Sequence, residues 1–243
     1  MTNTIPSLAE VKVITFDFWQ TLVLKVHPTY RKLQLELYQD MFETTAPFDE
    51  IYVLLRKADA ACNKIMEDSG KDCGFEPRIR FLHEHLPEND KIKELTQDFL
   101  ANLYRELEEI FATYPPVLFE EDILDTLAFF KKRNLRLGII SNTGSNGGDH
   151  LRRALVTHGI WNYIEPNLAI FSDEVKLSKP NKAIFQELLT RAQVQPDEYC
   201  HIGDNIKADY YGAVQAGCHA FHLSSDSPAT SSITEIKTLC EYL

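Results

Sequence analysis

The sequence predicts an α/β protein in which a doubly wound, Rossmann-like core of parallel strands carries an inserted bundle of four helices. A largely apolar, β-branched run over residues 11–16 ends in Asp17, as a buried strand of an α/β sheet does. Residues 28–114 show only helical periodicity, and from about residue 120 strand-like and helix-like patterns alternate. A chain of 243 residues fits one large domain, or a domain with a second one inserted into it.

The composition is that of a globular protein, with 44% hydrophobic residues and a formal net charge of −11. No Lys/Arg-rich run is present, which argues against nucleic acid or an anionic membrane as a partner. No apolar stretch is long enough to span a bilayer, and no secretory signal is evident. Five widely spaced cysteines are typical of free thiols rather than of disulfides or a zinc site. We therefore expect a cytoplasmic protein.

The inserted segment is predicted to consist of four amphipathic helices. Apolar residues recur at helical spacing in four stretches, which are residues 33–41, 51–65, 79–86 and 92–110. We expect a helical cap domain at residues 25–111 and a core domain formed by residues 1–24 and 112–243. The cap segment holds 12 Lys+Arg and 18 Asp+Glu, so its own charge of −6 is not suited to attract a polyanion.

After the helical segment, the predicted elements alternate between helix and strand. In order they are a helix at 121–134, a strand at 135–140, a helix at 149–158, a strand at 168–171, a helix at 181–192, a strand at 199–203, a helix at 206–216, a strand at 218–223 and a terminal helix at 233–243. Alternation of this kind implies βαβ units and a parallel sheet.

Polar side chains follow several of the predicted strands at the point where each strand ends. They are Asp17, the pair Ser141 and Asn142, Lys179 in a loop after a strand, and Asp204 with Asp209. Because the carboxyl ends of parallel strands meet at one edge of a doubly wound sheet, we expect these groups to share one crevice. Taken singly, such residues are more often helix caps or turn formers, as we expect for Asn205. The whole set is a more specific signal and predicts an active site.

The charges in this crevice indicate a bound cation. Three carboxylates, those of Asp17, Asp204 and Asp209, face a single ammonium group and leave a net charge of −2. Carboxylates clustered in a partly dry site raise one another's pKa values unless a cation lies among them. One divalent ion would balance the charge.

Four stretches match, in order and spacing, the motifs of a known superfamily. They are FDFWQTL (16–22), IISNT (139–143), SDEVKLSKPNKAIF (172–185) and HIGDNIKADYYGAVQAG (201–217). With these motifs the chain resembles the haloacid dehalogenase superfamily of hydrolases, in the form that has an all-helical cap inserted after the first motif. The resemblance covers nearly the whole chain, and the fourth motif is among its closest matches.

The resemblance implies a role for each group at the strand ends. Asp17 would be the nucleophile and would form a covalent aspartyl intermediate that water hydrolyses. Ser141 and nearby backbone N–H groups would hold the oxygens of the transferred group, and Lys179 would neutralise the developing charge. Asp204 would bind Mg²⁺ together with Asp17, because Mg²⁺ takes hard oxygen ligands and retains several waters. Asp209 would join this metal site directly, or act through water or Lys179.

The first motif departs from the family pattern at two positions. Many phosphatases of the superfamily have a second aspartate where this chain has Trp19, and that aspartate is the general acid and base, whereas indole only donates. The family's metal is bound there by the backbone carbonyl, so the resemblance still assigns Trp19 to the metal and substrate site. Gln20 replaces a glycine, which puts the φ > 0 turn geometry in question. His27 is a candidate replacement acid, and Asn142 is expected either to contact the substrate or to form a turn.

A Mg²⁺-dependent phosphatase acting on a small phosphorylated metabolite, through an aspartyl-phosphate at Asp17, is the function we expect. Without a second acid, acyl and aryl phosphates should be preferred. A metal-free 2-haloacid dehalogenase is the first alternative, since those enzymes also have an aromatic residue at the position of Trp19. They lack the pair Gly203-Asp204, however, and an extra carboxylate beside an anionic substrate costs on the order of 4 kcal/mol. The second alternative is a catalytically weak protein that binds a ligand or a partner. Either a monomer or a homodimer is compatible with the sequence.

Overall fold

The computed structural model describes residues 8–87 and 94–242 of the chain. Its strands are β1 (Val13–Phe16), β2 (Val23–Lys25), β3 (Val117–Leu118), β4 (Arg136–Ser141), β5 (Ile164–Phe171), β6 (Tyr199–Gly203), β7 (His219–Leu223) and β8 (Ser232–Ile233). Its α-helices are α1 (Pro28–Met41), α2 (Phe48–Ser69), α3 (Glu76–His85), α4 (Gln97–Thr113), α5 (Ile123–Lys132), α6 (Gly148–Thr157), α7 (Ser172–Val175), α8 (Lys182–Ala192) and α9 (Gly212–Gln215). None of the described helices is both long and apolar enough to cross a membrane.

Six parallel strands form the main sheet, in the order β5-β4-β1-β6-β7-β8. The chain runs outward from β1 through β4 to β5, and then returns to the other side of β1 with β6 and β7. Phe16, the last residue of β1, pairs with Ile139 of β4 on one side and Ile202 of β6 on the other. The strand order thus reverses at β1, which is where doubly wound sheets bind ligands. The predicted fold class is confirmed.

Apolar side chains cover both faces of this sheet. Val13 belongs to one buried cluster, together with Ile140 and Phe185, whereas Ile14 belongs to a second one. Neighbouring residues of β1 therefore point to opposite faces, and both faces are dry, as expected for a parallel sheet between two helical layers. The near-continuous apolar run in the sequence is the direct consequence.

The four helices α1–α4 pack around a third apolar cluster, which includes Leu54, Leu82 and Leu103. Where the chain enters and leaves this segment, β2 and β3 pair as a small antiparallel sheet that the sequence did not predict. The predicted boundary between residues 24 and 25 falls inside β2, and the one between 111 and 112 falls inside α4. The division into a core domain and a cap domain stays a prediction.

Several element boundaries differ from the predicted ones. The terminal helix predicted at 233–243 is replaced by β8 and a 3₁₀ turn at Ile236–Glu241, and the helix predicted at 206–216 begins as a π-helical turn, Ile206–Tyr211. The fourth cap helix begins at Gln97, where the Thr96 side chain accepts a hydrogen bond from the Phe99 backbone N–H (3.1 Å). Residue 92, assigned to that helix, lies outside the described residues. Strand β5 begins earlier than predicted because an edge strand tolerates proline, here at residue 166.

Gln20 lies in the left-handed region with φ of 56°, so the turn keeps the geometry for which a glycine is usual. A residue other than glycine is strained in this conformation by roughly 1–2 kcal/mol. Glycine would relieve the strain, but its greater conformational entropy in the unfolded chain would cancel part of the stabilisation. We expect Gln20→Gly to raise the free energy of unfolding by about 0.5–1 kcal/mol in urea titrations. Gln20→Ala removes the same exposed side chain and keeps the strain, so an equal gain with alanine would contradict the interpretation.

Candidate active site

A cavity of about 370 Å³ lies between the carboxyl ends of β1, β4 and β6 and the helices α1 and α2. Six of the predicted site residues line it, namely Asp17, Trp19, Asn142, Lys179, Asp204 and Asp209. Ser141 is fully buried, and among the described residues it is not part of the cavity wall. The structure thus brings together the predicted groups at the strand ends except the Ser141 hydroxyl, which bonds weakly to the Asn142 carbonyl at 3.4 Å.

Lys179 is the centre of the hydrogen-bonding network in this cavity. Its ammonium group donates to Asp17 Oδ1 (2.7 Å), to Asp209 Oδ1 (2.6 Å) and to the Ile140 carbonyl (2.7 Å). A lysine has three N–H donors, and all three are used. Lys179 is 2% exposed, so this buried charge is compensated by two buried carboxylates. In this arrangement Lys179 orients Asp17, and contact with a substrate oxygen requires one of the three bonds to be exchanged.

A buried chain of hydrogen bonds supports Asp209 from behind. The His201 side chain lies between Thr15 Oγ1 (2.8 Å from Nδ1) and Asp209 Oδ1 (3.2 Å from Nε2), and Thr15 Oγ1 in turn lies 2.6 Å from the Tyr199 hydroxyl. Burial lowers the pKa of His201 to about 4, so the ring is neutral. One direction of donation satisfies the whole chain, from Tyr199 to Thr15 to His201 and from His201 Nε2–H to the carboxylate.

Asp209 is the most fully bonded carboxylate of the site. Besides Lys179 and His201 on Oδ1, the backbone N–H of Asn205 donates to Oδ2 at 2.8 Å. Gly203 makes this approach possible, since a Cβ at that position would overlap with the Asp209 side chain. Burial by itself raises the pKa of Asp209, but the ion pair with Lys179 and the His201 bond outweigh it and hold the pKa well below its ordinary value. Asp209 therefore stays ionised and acts as a structural anion.

Asp17 and Asp204 are held less firmly in their charged forms. Burial raises the pKa of Asp17 from 3.8 to about 6, although Lys179 opposes the shift. Burial also raises the pKa of Asp204 to about 7, with the negative charges of Asp17 and Asp209 adding to the effect. Burial is the main cause of both shifts, and repulsion among the three carboxylates, which a single lysine faces, adds to them.

These carboxylates fit a hard divalent cation. Oxygen atoms of Asp17, Asp204 and Asp209 all lie within 4.8 Å of one another. Oxygen ligands in a site that also admits water are what Mg²⁺ prefers. Since the three donors to Asp209 already use most of its lone pairs, Asp17 and Asp204 are the side chains best placed to hold the ion. His222 Nε2 donates to the Asp204 carbonyl at 2.7 Å and so positions this residue from outside the cavity.

The raised pKa values predict an unusual pH dependence for protein treated with EDTA. The folded state binds protons on Asp17 and Asp204 more tightly than the unfolded chain does, so these two groups lower the free energy of unfolding as pH rises from about 4 to about 7, and the lowered pKa of His201 offsets only part of that fall. We expect a lower melting temperature at about pH 8 than at about pH 5, measured by circular dichroism. Mg²⁺ at a hundred times its Kd should add about 2.7 kcal/mol, and only at the higher pH. Asp204→Asn should reduce both the fall in melting temperature with pH and the stabilisation by Mg²⁺. A melting temperature that rises between about pH 5 and about pH 8 would contradict the raised pKa values.

The loop after β4 supports Lys179. Asn142 Nδ2 donates to the Lys179 carbonyl and Asn142 Oδ1 accepts from the Lys179 N–H, both at 2.9 Å. These two bonds join the second and third motifs. They link two distant loops and do not form a turn, so the turn role and the substrate contact considered for Asn142 both stay predictions.

Trp19 lies at the cavity wall, where its ring packs edge-on against Phe18 and Phe111. His27 is different. Its Nδ1 accepts the Thr29 backbone N–H at 3.1 Å and caps α1, and His27 is not part of the cavity wall that the described residues form. A role for His27 as the replacement acid stays a prediction that this geometry does not support, because its Nδ1 caps α1 and its ring does not line the cavity.

The helical segment contributes a large part of the cavity that the sequence analysis missed. Its lining residues are Tyr30, Arg31 and Gln34 on α1, and Leu55, Arg56, Asp59, Asn63, Met66 and Glu67 on α2. The signal was present as polar residues at three- and four-residue spacing beside the apolar stripe of α2. Periodicity alone does not say whether such a polar face meets solvent or a cavity. His201 was expected to be a packed core residue, and only the structure shows its bond to Asp209.

Comparisons with known proteins agree with this architecture. The family of haloacid dehalogenase-like hydrolases matches residues 11–217. Haloacid dehalogenase-like hydrolase domain-containing protein 3 of Mus musculus is 31% identical over 110 residues, which are 45% of this chain and 41% of that protein. Glyceraldehyde 3-phosphate phosphatase of Methanothermobacter thermautotrophicus is 33% identical over 103 residues, 42% of each chain. The chain thus spans less than half of the length of these relatives. The crystal structure of 2-haloacid dehalogenase from Pseudomonas syringae pv. Tomato superposes with a TM-score of 0.66 at 22% identity, covering 96% of this chain and 97% of that one.

Proposed function

This chain belongs to the haloacid dehalogenase-like hydrolases, and on that premise we propose that it is a Mg²⁺-dependent phosphatase acting on a small phosphorylated metabolite. One observation carries the proposal: Asp17, paired with Lys179, shares a cavity with Asp204, whose pKa burial and its neighbours raise to about 7. Three carboxylates against one lysine leave a net negative charge that a bound cation would balance. The cation would then attract a phosphate to the same site. The phosphatase relative supports the same reaction class.

The proposed reaction has two steps. A carboxylate oxygen of Asp17 forms a bond to phosphorus while the bond to the leaving oxygen breaks, and water then cleaves the aspartyl-phosphate to release inorganic phosphate. Lys179 holds the nucleophile in place, and Asp209 with His201 holds Lys179. Backbone N–H groups of the loop after β4 are the proposed partners of the phosphoryl oxygens. Ser141 contacts this loop through its weak hydrogen bond to the Asn142 carbonyl. Bound Mg²⁺, held by Asp17, Asp204 and the Trp19 carbonyl, would supply positive charge next to the transferred group.

The leaving group is limited by Trp19. An indole has no titratable proton at neutral pH, so no acid stands where the second aspartate of related phosphatases would be. The leaving groups of acyl and aryl phosphates are carboxylate and phenolate anions. These anions are weak bases and need little protonation in order to depart. We therefore propose that such substrates are hydrolysed faster than alkyl phosphates.

The decisive experiment measures phosphate release from acetyl phosphate and p-nitrophenyl phosphate, with Mg²⁺ and with EDTA. We expect turnover with Mg²⁺ and loss of turnover with EDTA. Absence of turnover with every phosphate tested, or turnover indifferent to EDTA, contradicts the proposal. A phosphoryl adduct on Asp17, detected by mass spectrometry after rapid acid quench, would locate the intermediate.

Trp19→Asp tests the missing acid directly. A positioned acid contributes about 10²–10⁴-fold where the leaving group needs a proton, so kcat for an alkyl phosphate should rise while kcat for acetyl phosphate changes little. The matched control is Trp19→Asn, which has the same shape without a titratable group and should give no gain. An equal loss with both substrates would instead show that the indole belongs to the working site.

Metal-free dehalogenation is the second candidate, favoured by the aromatic Trp19 at the cavity wall. Chloride release from 2-chloropropionate that survives EDTA would support it, and its absence excludes it. A ligand- or partner-binding protein without efficient catalysis is the third, and turnover abolished by Asp17→Asn excludes that one. We further propose a cytoplasmic location, in keeping with five free cysteines, and a monomer or homodimer.

A further inference from the structure

The cavity has two walls of opposite character. The wall at the strand ends holds Asp17, Asp204 and Asp209 around Lys179. The opposite wall consists of one face of α2 and the first turns of α1, and it includes two arginines, Arg31 and Arg56. One wall therefore has the chemistry for a metal-bound phosphate, and the other has the chemistry for a second anion.

The acidic residues of the helical wall do not neutralise these arginines. Asp59 pairs with the buried Arg78, at 3.1 Å from its Nε. Glu67 pairs with Lys207 on the other side of the cavity mouth, at 3.8 Å. Both acids thus have cations of their own outside the pair of arginines.

Neither arginine has an acidic partner in the described part of the chain. Arg31 donates to Gln34 Oε1 at 2.6 Å, and its guanidinium lies 5.1 Å from the centre of the Tyr52 ring. Arg56 has no hydrogen-bond or ion-pair partner among the described residues. Arg56 is exposed and Arg31 is half-buried, and both border the cavity opposite the three carboxylates. Two planar cations without a carboxylate are suited to an oxyanion, which guanidinium groups bind in a bidentate manner.

We propose that the substrate is a small phosphate compound with a second anionic group, a carboxylate or phosphate, which Arg31 and Arg56 bind at the helical wall. This inference rests on the proposed function for the phosphate end of the substrate. A cavity of about 370 Å³ is at the small end of ligand sites, so the two anionic groups are separated by only a few atoms. The acidic surroundings disfavour larger polyanions, since among the described lining residues these two arginines are the only cations without an acidic partner.

Non-hydrolysable phosphonates test this inference independently of catalysis. Binding of phosphonoacetate, 3-phosphonopropionate and 4-phosphonobutyrate is compared by calorimetry, in the presence of Mg²⁺, with that of propylphosphonate, which lacks the second charge. Methylenediphosphonate distinguishes a phosphate from a carboxylate as the second group. At least one two-charge ligand should bind about tenfold to a hundredfold more tightly than propylphosphonate, because hydrogen bonds between charged partners are the strong ones.

Arg56→Gln should remove most of that preference, and Arg31→Gln part of it. Lys57→Gln is the matched control, since Lys57 is the adjacent exposed cation on α2 and does not line the cavity. Equal affinity for one-charge and two-charge ligands, or a preference that survives both arginine changes, overturns the inference. Failure of the proposed function looks different: acetyl phosphate is then not hydrolysed, whether or not the phosphonate preference is present.

Discussion

Asp17→Asn is expected to abolish phosphate release, by about 10³-fold or more, because the amide has no charge and a much weaker nucleophilic oxygen. The measurement is kcat for acetyl phosphate with saturating Mg²⁺. Asp226→Asn is the matched control, since Asp226 is an exposed carboxylate outside the cavity wall, and it should retain full activity. Residual activity above about one tenth of the wild-type value would remove Asp17 from the nucleophile's role.

The same variant should not be less stable than the parent when metal is absent. Burial raises the pKa of Asp17 to about 6, which means that the folded protein holds this charge at a cost near neutral pH. An amide relieves the repulsion from Asp204 and Asp209 and keeps an oxygen to accept from Lys179. Loss of activity together with an unchanged or higher melting temperature in EDTA thus separates a chemical defect from a folding defect.

Lys179→Met is expected to lower the free energy of unfolding by about 3–5 kcal/mol, and to abolish activity, because it leaves two buried carboxylates without their cation. Urea unfolding monitored by circular dichroism at neutral pH measures the loss. Since protonation of the carboxylates relieves the repulsion, part of the lost stability should return at lower pH. A loss below about 1 kcal/mol would show that the buried pair is not required for folding.

Two further variants make this result interpretable. Lys176→Met, three residues earlier at an exposed position, should stay within about 0.5 kcal/mol of the parent. The double variant Lys179→Met/Asp209→Asn removes one of the two stranded charges and should recover part of the stability without recovering activity. If the single variant fails to fold, the double variant provides the same comparison.

Sequence patterns were sufficient for the sheet and for the composition of its edge. Short apolar runs, each followed by a polar group, predicted parallel strands whose carboxyl ends hold Asp17, Asn142 and Asp204, and all three line one cavity. The parallel arrangement forces this result, since strands that run in the same direction have their ends at the same edge. Asn205 was likewise predicted as a cap, and its side chain accepts the N–H groups of Lys207 and Ala208.

Elements whose stability depends on distant partners were not predictable. The pair β2 and β3 has only a few residues in each strand, and its hydrogen bonds join segments separated by the whole helical insertion. The terminal 3₁₀ turn at Ile236–Glu241 is fixed by a contact with Glu120, whose side chain accepts the Ile236 N–H. Local propensity favoured a longer helix there, and the tertiary contact prevailed.

The sequence by itself determined which groups could do chemistry: a carboxylate at the end of the first strand, a lysine, two more aspartates, and no second acid at Trp19. The tertiary structure decided how those groups are divided between roles. Lys179 and His201 hold Asp209 as a fixed anion, while Asp17 and Asp204 retain the negative charge that a cation and a phosphate would neutralise. It also placed Arg31 and Arg56 on the cavity wall. Spacing along a chain specifies which residues share a face, but only packing specifies what that face meets.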